Sequence, residues 1–165
     1  MEVMRNQKTK KKFLKKVREI ANKKNIILIF DECTSGFRET FGGLHIKEKV
    51  YPDMTILGKA LGNGYAINAI LGKREIMEYL QNTYISSTFW TERSGPVAAL
   101  QTLKLMEKLK SWKIIPNMGK DIKKNWKKIA KKNNIKIEIS GIDALPSFQI
   151  KHVNWIKFKT YITQE

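Results

Sequence analysis

A lysine and an aspartate are the two residues whose types and spacing first suggest chemistry. Lys59 lies between an apolar run that ends at Leu57 and the glycine-rich turn 62–64. Asp31 directly follows the run 25–30, which is apolar after Asn25, and precedes Lys59 by about the length of one strand-to-strand crossover. A strand that ends in an acid, followed by a turn that presents a lysine, would place opposite charges at one end of a sheet.

This pair of groups suits a carbonyl cofactor. A lysine amine attacks carbonyls and forms Schiff bases, and pyridoxal 5'-phosphate (PLP) is the commonest carbonyl cofactor held in this way. The Asp31 carboxylate can keep the pyridine nitrogen of PLP protonated, so that the ring withdraws electrons. The glycines beside Lys59 permit close approach of the backbone. Lys59 and Asp31 are therefore candidate catalytic residues, which could supply PLP with the amine for its aldehyde and the acid for its ring nitrogen.

Candidate phosphate donors are Thr88 and Thr91, which precede a predicted helix starting near Gly95, and a helix N-terminus favours anions. Each feature taken alone has a plainer interpretation. A lysine beside glycines is usually a surface turn, and a threonine before a helix is usually a cap. Nucleotide binding is not indicated, because neither a P-loop nor a G-x-G-x-x-G pattern follows a strand.

The predicted elements alternate between helices and strands, as in α/β proteins. Apart from Asn25, the run 25–30 is apolar, which is typical of a parallel strand buried on both faces, and further runs rich in apolar residues follow at 54–57 and 66–71. Strict alternation over 134–140 predicts a half-buried antiparallel strand, and another strand begins at 147. Helical spacing of apolar residues predicts helices over 8–24, 74–82, from 95 onward and over 118–133.

Three ordered motifs resemble those of class III, fold-type I PLP-dependent aminotransferases. Residues 27–38 are similar to that family's strand-and-loop motif, and residues 52–64 resemble its cofactor-lysine motif. Residues 86–96 resemble the next loop, which in the family dimer reaches the phosphate of the partner's cofactor. The resemblance covers almost the whole chain, and the glutamate-1-semialdehyde aminomutases are relatives with this general pattern.

The resemblance implies a role for each matching residue. Lys59 would form the Schiff base and move the proton at the substrate carbon, while Asp31 would pair with the pyridine nitrogen. Glu32 would support the site from behind. Cys33 stands where the family usually has a valine against the ring, and its sulfur is small and apolar enough to replace it.

The same resemblance leaves the phosphate ligand open between two threonines. Counting back from Pro96 favours Thr91, whereas matching residues 87–89 favours Thr88. Either one would bind phosphate across a homodimer. The turn 62–65 reads Gly-Asn-Gly-Tyr instead of the triple glycine common in the aminomutases, which favours an aminotransferase-like subgroup acting on a small amino or keto substrate.

The resemblance also implies the fold and its extent. We expect an α/β fold in which residues 1–115 form a partial PLP-dependent transferase large domain, a mostly parallel sheet with helices. Residues 116–165 would form the start of an α+β small domain. Because full members carry an N-terminal half before this region, the chain resembles a central fragment, either completed by a separately encoded N-terminal half or left as a degraded copy.

Composition leaves one alternative function. The 32 Lys and Arg against 15 Asp and Glu give a net charge of +17, which suits a basic module that binds an anionic partner in a catalytically inactive remnant. Lysine-rich helices and the lack of nucleic-acid-binding motifs favour a solvated basic surface instead. The single cysteine and the lack of a signal-peptide pattern or a membrane-length apolar run predict a cytoplasmic protein.

Overall fold

The computed structural model describes residues 12–164, which divide into two compact units, one ending at Lys113 and the other beginning at Ile114. The helices are α1 Phe13–Lys23, α2 His45–Glu48, α3 Arg74–Met77, α4 Ser94–Leu109, α5 Ser111–Lys132 and α6 Trp155–Gln164, with 3-10 turns at Lys59–Leu61 and Glu78–Asn82. The strands are β1 Ile29–Glu32, β2 Met54–Leu57, β3 Ala69–Gly72, β4 Ile137–Ser140 and β5 Ser147–Ile150.

The first unit contains a three-stranded sheet in the order β1-β2-β3. β1 and β2 are parallel, with Asp31 opposite Ile56 and Glu32 opposite Leu57. β3 is antiparallel to β2, so β2 has a parallel neighbour on one side and an antiparallel neighbour on the other. The physical reason is the connection, because the turn after β2 folds the chain directly back beside it, while a parallel strand needs a longer crossover.

The prediction for the first strand was wrong in its position and burial. Strand β1 begins at Ile29 instead of residue 25, and Ile26, Ile27 and Ile29 are 55%, 53% and 49% exposed. Asn25 adopts a left-handed backbone (φ 52°) after α1. The residues that follow it therefore lead the chain away from the helix, and the strand starts only at Ile29. Within the described residues β1 pairs with β2 alone, and its outer edge therefore lacks a neighbouring strand.

A small core fixes the turn after β2 against α4. The buried residues of this core form one cluster: Phe37, Leu57, Leu61, Ala99 and Met106. Partly buried residues pack against it, namely Ala60, Ile67, Ala69, Leu103 and Trp112. Val97, Leu100 and Leu109 are three of the apolar residues that recur at helical spacing along α4. These three side chains are 58–63% exposed, because the apolar residues of α4 extend beyond the stripe that the sheet covers.

The second unit contains α5 from Ile114 onward, together with α6 and the antiparallel pair β4-β5. Trp126 of α5 packs on Phe148 of β5, with 4.9 Å between ring centroids, and Lys123 forms an ion pair with Asp143 at 3.0 Å. Helix α5 begins at Ser111, earlier than the predicted residue 118, and continues through Pro116. Of the helices within residues 12–164, none is both long and apolar enough to cross a membrane.

Candidate active site

Lys59 and Asp31 lie at the same end of the first sheet, where the parallel strands β1 and β2 both terminate. This carboxyl-terminal end of the sheet is called the sheet edge below. Asp31 is the third residue of β1, and Lys59 follows the end of β2 by two residues. Because β1 and β2 are parallel, their carboxyl ends meet at this edge, which is where open α/β sheets bind ligands. Both side chains are exposed to solvent. The edge thus presents an amine and a carboxylate together.

The Lys59 amine is held by a residue that the sequence did not single out. Lys59 Nζ donates a hydrogen bond to Thr34 Oγ1 at 2.7 Å. The Lys59 backbone is left-handed, with φ 43°, a conformation that non-glycine residues seldom adopt. The amides of Gly62 and Asn63 both donate to the Lys59 carbonyl, at 3.1 and 2.9 Å, and so hold that conformation. Such uncommon backbone states are concentrated at functional sites.

Cys33 packs at the same edge, between β1 and the residue before Lys59. Its backbone amide donates to Asp31 Oδ1 at 3.1 Å, and its Sγ lies 3.6 Å from Asn68 Oδ1. A Cβ atom added to Gly58 would lie 2.7 Å from the sulfur and closer still to Asn68. The lack of a side chain at Gly58 therefore lets Cys33 and Asn68 approach the backbone beside Lys59. Sequence reasoning did not identify Asn68, because only the turn after β2 brings it here.

Glu32 belongs to a separate buried cluster on the other face of β1, since successive residues of a strand point to opposite faces. Its carboxylate accepts hydrogen bonds from Ser35 Oγ at 2.9 Å, from the His45 amide at 3.0 Å and from the Leu44 amide. His45 Nδ1 lies 2.6 Å from Glu32 Oε1. Glu32 therefore joins β1 to the start of α2. Neither α2 nor His45 was predicted.

Thr88 and Thr91 lie in the exposed irregular segment before α4. Among the described residues, neither side chain makes a hydrogen bond with another, and none of their contacts joins them to Lys59. The start of α4 itself packs on the turn after β2, since a Cβ on Gly95 would lie 3.0 Å from the Ala66 carbonyl oxygen. The phosphate-binding role of the two threonines stays a prediction.

Asp53 is the electrostatic anchor at the opposite end of β2. Its buried carboxylate accepts hydrogen bonds from Arg18 Nη1 at 2.7 Å and from the Leu28 amide at 2.8 Å, and it forms an ion pair with Lys73 at 2.8 Å. Burial alone would raise the pKa of Asp53, but the Leu28 amide, Lys73 and Arg18 together outweigh it and hold the pKa well below its usual range. Asp53 follows Pro52, a pair that favours a turn, and the sequence around it does not predict these ion pairs.

A substitution at Gly62 tests how closely the turn after Lys59 is packed. A Cβ at this buried position would collide with the backbone carbonyl oxygen of Tyr65, and a backbone atom cannot rotate away. We expect Gly62→Ala to lower the free energy of unfolding by about 1–3 kcal/mol, measured by urea denaturation.

Gly64→Ala is the matched comparison for this prediction. Gly64 has φ +107°, so alanine is strained there, but no heavy atom lies within 4 Å of the added Cβ. Its expected cost is about 1 kcal/mol, from backbone strain alone. Equal costs for the two variants would contradict the proposed collision at Gly62.

Comparison with known proteins places these features in a family. Residues 6–162 match the family model described as aminotransferase class-III. The chain is 35% identical to the 3-aminobutyryl-CoA aminotransferase of Cloacimonas acidaminovorans, over 84% of this chain and 34% of the relative. It is 36% identical to the glutamate-1-semialdehyde 2,1-aminomutase of Methanocaldococcus jannaschii, over 86% of this chain and 33% of the relative.

The fold agrees with this sequence match. The FumI protein of Sphingopyxis sp. MTA144 superimposes with a TM-score of 0.79 at 20% identity, over 84% of this chain and 33% of that one. The chain thus spans about a third of the length of the proteins that it matches. The family match covers almost all of the sequence, and this chain therefore belongs to the class-III aminotransferase family.

Proposed function

We propose that this chain is the lysine-bearing region of a PLP-dependent aminotransferase or aminomutase, in which Lys59 holds the cofactor. The observation that carries the proposal is that Asp31 and Lys59 lie at the carboxyl ends of the paired parallel strands β1 and β2, in a member of the class-III family. PLP supplies an aldehyde that condenses with an amine, and a ring that withdraws electrons from a substrate carbon.

The side chains at this edge fit PLP chemically. Lys59 offers a nucleophilic amine that is also able to move a proton, and Asp31 offers a carboxylate for a protonated ring nitrogen. Cys33 offers a small apolar surface beside them. FumI, which shares the fold, was solved in a PLP form. Glu32 acts in this proposal from the far face of β1, by fixing the strand that carries Asp31.

The substrate class and the partners follow from the relatives. Their names describe an aminotransferase and an aminomutase, and we infer that the intact protein moves an amino group on a small amino or keto compound. We propose that it works as a homodimer, in which Thr88 or Thr91 reaches the phosphate in the partner's site. The remaining two-thirds or so of the relatives' length would supply further ligands, either in the same protein or from a separately encoded N-terminal half.

We propose a cytoplasmic location. The single cysteine, Cys33, cannot form an internal disulfide, which suits a reducing compartment.

Covalent mapping tests the proposal. The purified chain is incubated with one equivalent of PLP and reduced with borohydride, and the modified lysines are located by peptide mass spectrometry. We expect modification concentrated at Lys59, because it is the lysine at the sheet edge with a fixed backbone and a fixed amine. Modification spread evenly over the surface lysines would overturn the proposal.

A further inference from the structure

We propose that Thr34 is a positioning residue, whose hydroxyl holds the Lys59 amine in place for attack on a carbonyl. The inference rests on the proposed function and deepens it. Its basis is the 2.7 Å hydrogen bond from Lys59 Nζ to Thr34 Oγ1, which joins two loops 25 residues apart in the chain. The hydroxyl oxygen accepts an N–H bond from both the charged and the neutral amine, so it keeps the nitrogen in place through its deprotonation.

Thr34 is itself held rigidly, which makes it a fixed reference point. Arg38 Nε donates to the Thr34 carbonyl at 2.7 Å, and the amide of Gly36 donates to the Glu32 carbonyl at 2.7 Å. The next residue, Ser35, is bound through its hydroxyl to the buried Glu32 carboxylate at 2.9 Å. The Thr34 hydroxyl therefore belongs to a loop that hydrogen bonds hold both to Glu32 of β1 and within itself, through Arg38.

The Lys59 end of the hydrogen bond is fixed as well. Its left-handed backbone is closed by two amide donors, and its neighbours Ala60 and Leu61 pack in the core with α4. A long lysine side chain still has several rotatable bonds, and each free rotamer lowers the fraction of time that the amine spends at the reactive position. Fixing the amine at its tip removes this freedom where the backbone cannot. Correct positioning of a nucleophile is a large source of rate enhancement.

The variant Thr34→Val removes the hydroxyl and keeps the shape of the side chain. In the attachment reaction the nitrogen of the neutral amine forms a double bond to the aldehyde carbon, and the aldehyde oxygen leaves as water together with the two protons that the amine loses. Its rate is measured at increasing PLP concentrations, which separates the limiting rate from the half-saturating concentration. We expect the limiting rate to fall about fivefold, the equivalent of one ordinary hydrogen bond, with the half-saturating concentration unchanged. Thr34→Ser keeps the hydroxyl and should restore the rate.

Thr40→Val is the matched control. Thr40 lies in the same loop, and its hydroxyl donates to the Gly42 and Gly43 carbonyls at 3.1 and 2.8 Å, away from Lys59. We expect it to alter loop stability while leaving the limiting attachment rate within about twofold of wild type. A wild-type rate in Thr34→Val, or an equal loss in Thr40→Val and Thr34→Val, would overturn the positioning role.

A second measurement separates this inference from the proposed function. In nitrogen-15-labelled protein without cofactor, a hydrogen-bonded ammonium group exchanges slowly with water and gives a detectable signal. We expect a Lys59 signal in wild type and Thr34→Ser, and its loss in Thr34→Val. If wild type shows this signal but attaches no PLP at Lys59, the proposed function fails while the positioning contact stands. If wild type shows no such signal, the inference itself fails.

Discussion

Replacing Lys59 by alanine is expected to abolish covalent attachment of PLP at the candidate site. The alanine methyl group cannot condense with an aldehyde, and the Asp31 carboxylate beside it cannot replace the amine. The measurement is the visible absorption of the attached cofactor, together with borohydride fixation and peptide mapping. The expected loss is complete at residue 59, with only scattered modification of surface lysines remaining.

Measurements of the free energy of unfolding show whether Lys59→Ala loses PLP attachment because the amine is missing or because the fold is damaged. Position 59 has φ 43°, which glycine adopts freely and alanine does not. We therefore expect Lys59→Gly to be more stable than Lys59→Ala by about 1 kcal/mol in urea unfolding, although neither variant attaches the cofactor. At the proposed site, a lysine in this strained backbone lowers the free energy of unfolding, and Lys59→Gly would restore that stability.

Lys127→Ala is the matched control for these variants. Lys127 is an exposed lysine of α5 that makes no hydrogen bond or ion pair with another described residue. Its replacement should leave PLP attachment and stability unchanged. Retention of the attached-cofactor absorption in Lys59→Ala, or its loss in Lys127→Ala, would contradict the assignment of Lys59.

The relation between Lys59 and Asp31 could be predicted because it depends on sequence-local information. Two short apolar runs, each followed by polar or glycine-rich residues, indicate two strands, and the length between them suits a parallel crossover. A parallel pair has only one edge at which both carboxyl ends lie. The chemistry of that edge then follows from which residues come after each run.

The contacts that complete the site could not be predicted in the same way. Thr34 and Asn68 are ordinary loop residues in the sequence, and their roles arise when the turns after β1 and β2 are brought together. His45 was missed because α2 has only four residues, too few for a periodic pattern. Short-range sequence patterns predict helices and strands, whereas polar contacts between loops depend on the tertiary structure.

Burial was the least predictable property. An apolar run such as 26–30 predicts a strand covered on both faces, but how far it is covered depends on the neighbouring elements. In the structure Ile26, Ile27 and Ile29 lie beside the uncovered edge of β1, and each is about half exposed. The apolar pattern shows which residues are suited to burial. It does not show whether other described residues cover them.

Asp53→Asn is expected to produce the largest loss of stability among conservative substitutions in the first unit. The substituted amide would keep the size of the side chain but lose the charge that pairs with Arg18 and Lys73. Arg18 is only 17% exposed at its side chain, so its guanidinium would be left partly buried without a counterion. Removing one partner of such a pair costs about 3 kcal/mol, which urea unfolding measures directly.

Asp121→Asn is the matched control, since Asp121 is an exposed residue of α5 without an ion pair to another described residue. It should change the free energy of unfolding by less than about 0.5 kcal/mol. Lys73→Met should have a smaller effect than Asp53→Asn, because the Lys73 side chain is 55% exposed and solvent screens its ion pair. Equal losses for Asp53→Asn and Asp121→Asn would contradict the anchoring role of Asp53.

The pH dependence of the Asp53 effect has a definite sign. The folded protein holds the pKa of Asp53 below that of the unfolded chain, about 3.9, so the unfolded state binds the proton more tightly. The stabilisation is therefore fully present at neutral pH and is lost as the pH falls from about 5 toward the folded pKa. Because an asparagine side chain does not titrate, the stability difference between wild type and Asp53→Asn should narrow over this acidic range. A difference that stays constant with pH would mean that Asp53 acts through its shape and hydrogen bonds, and not through its charge.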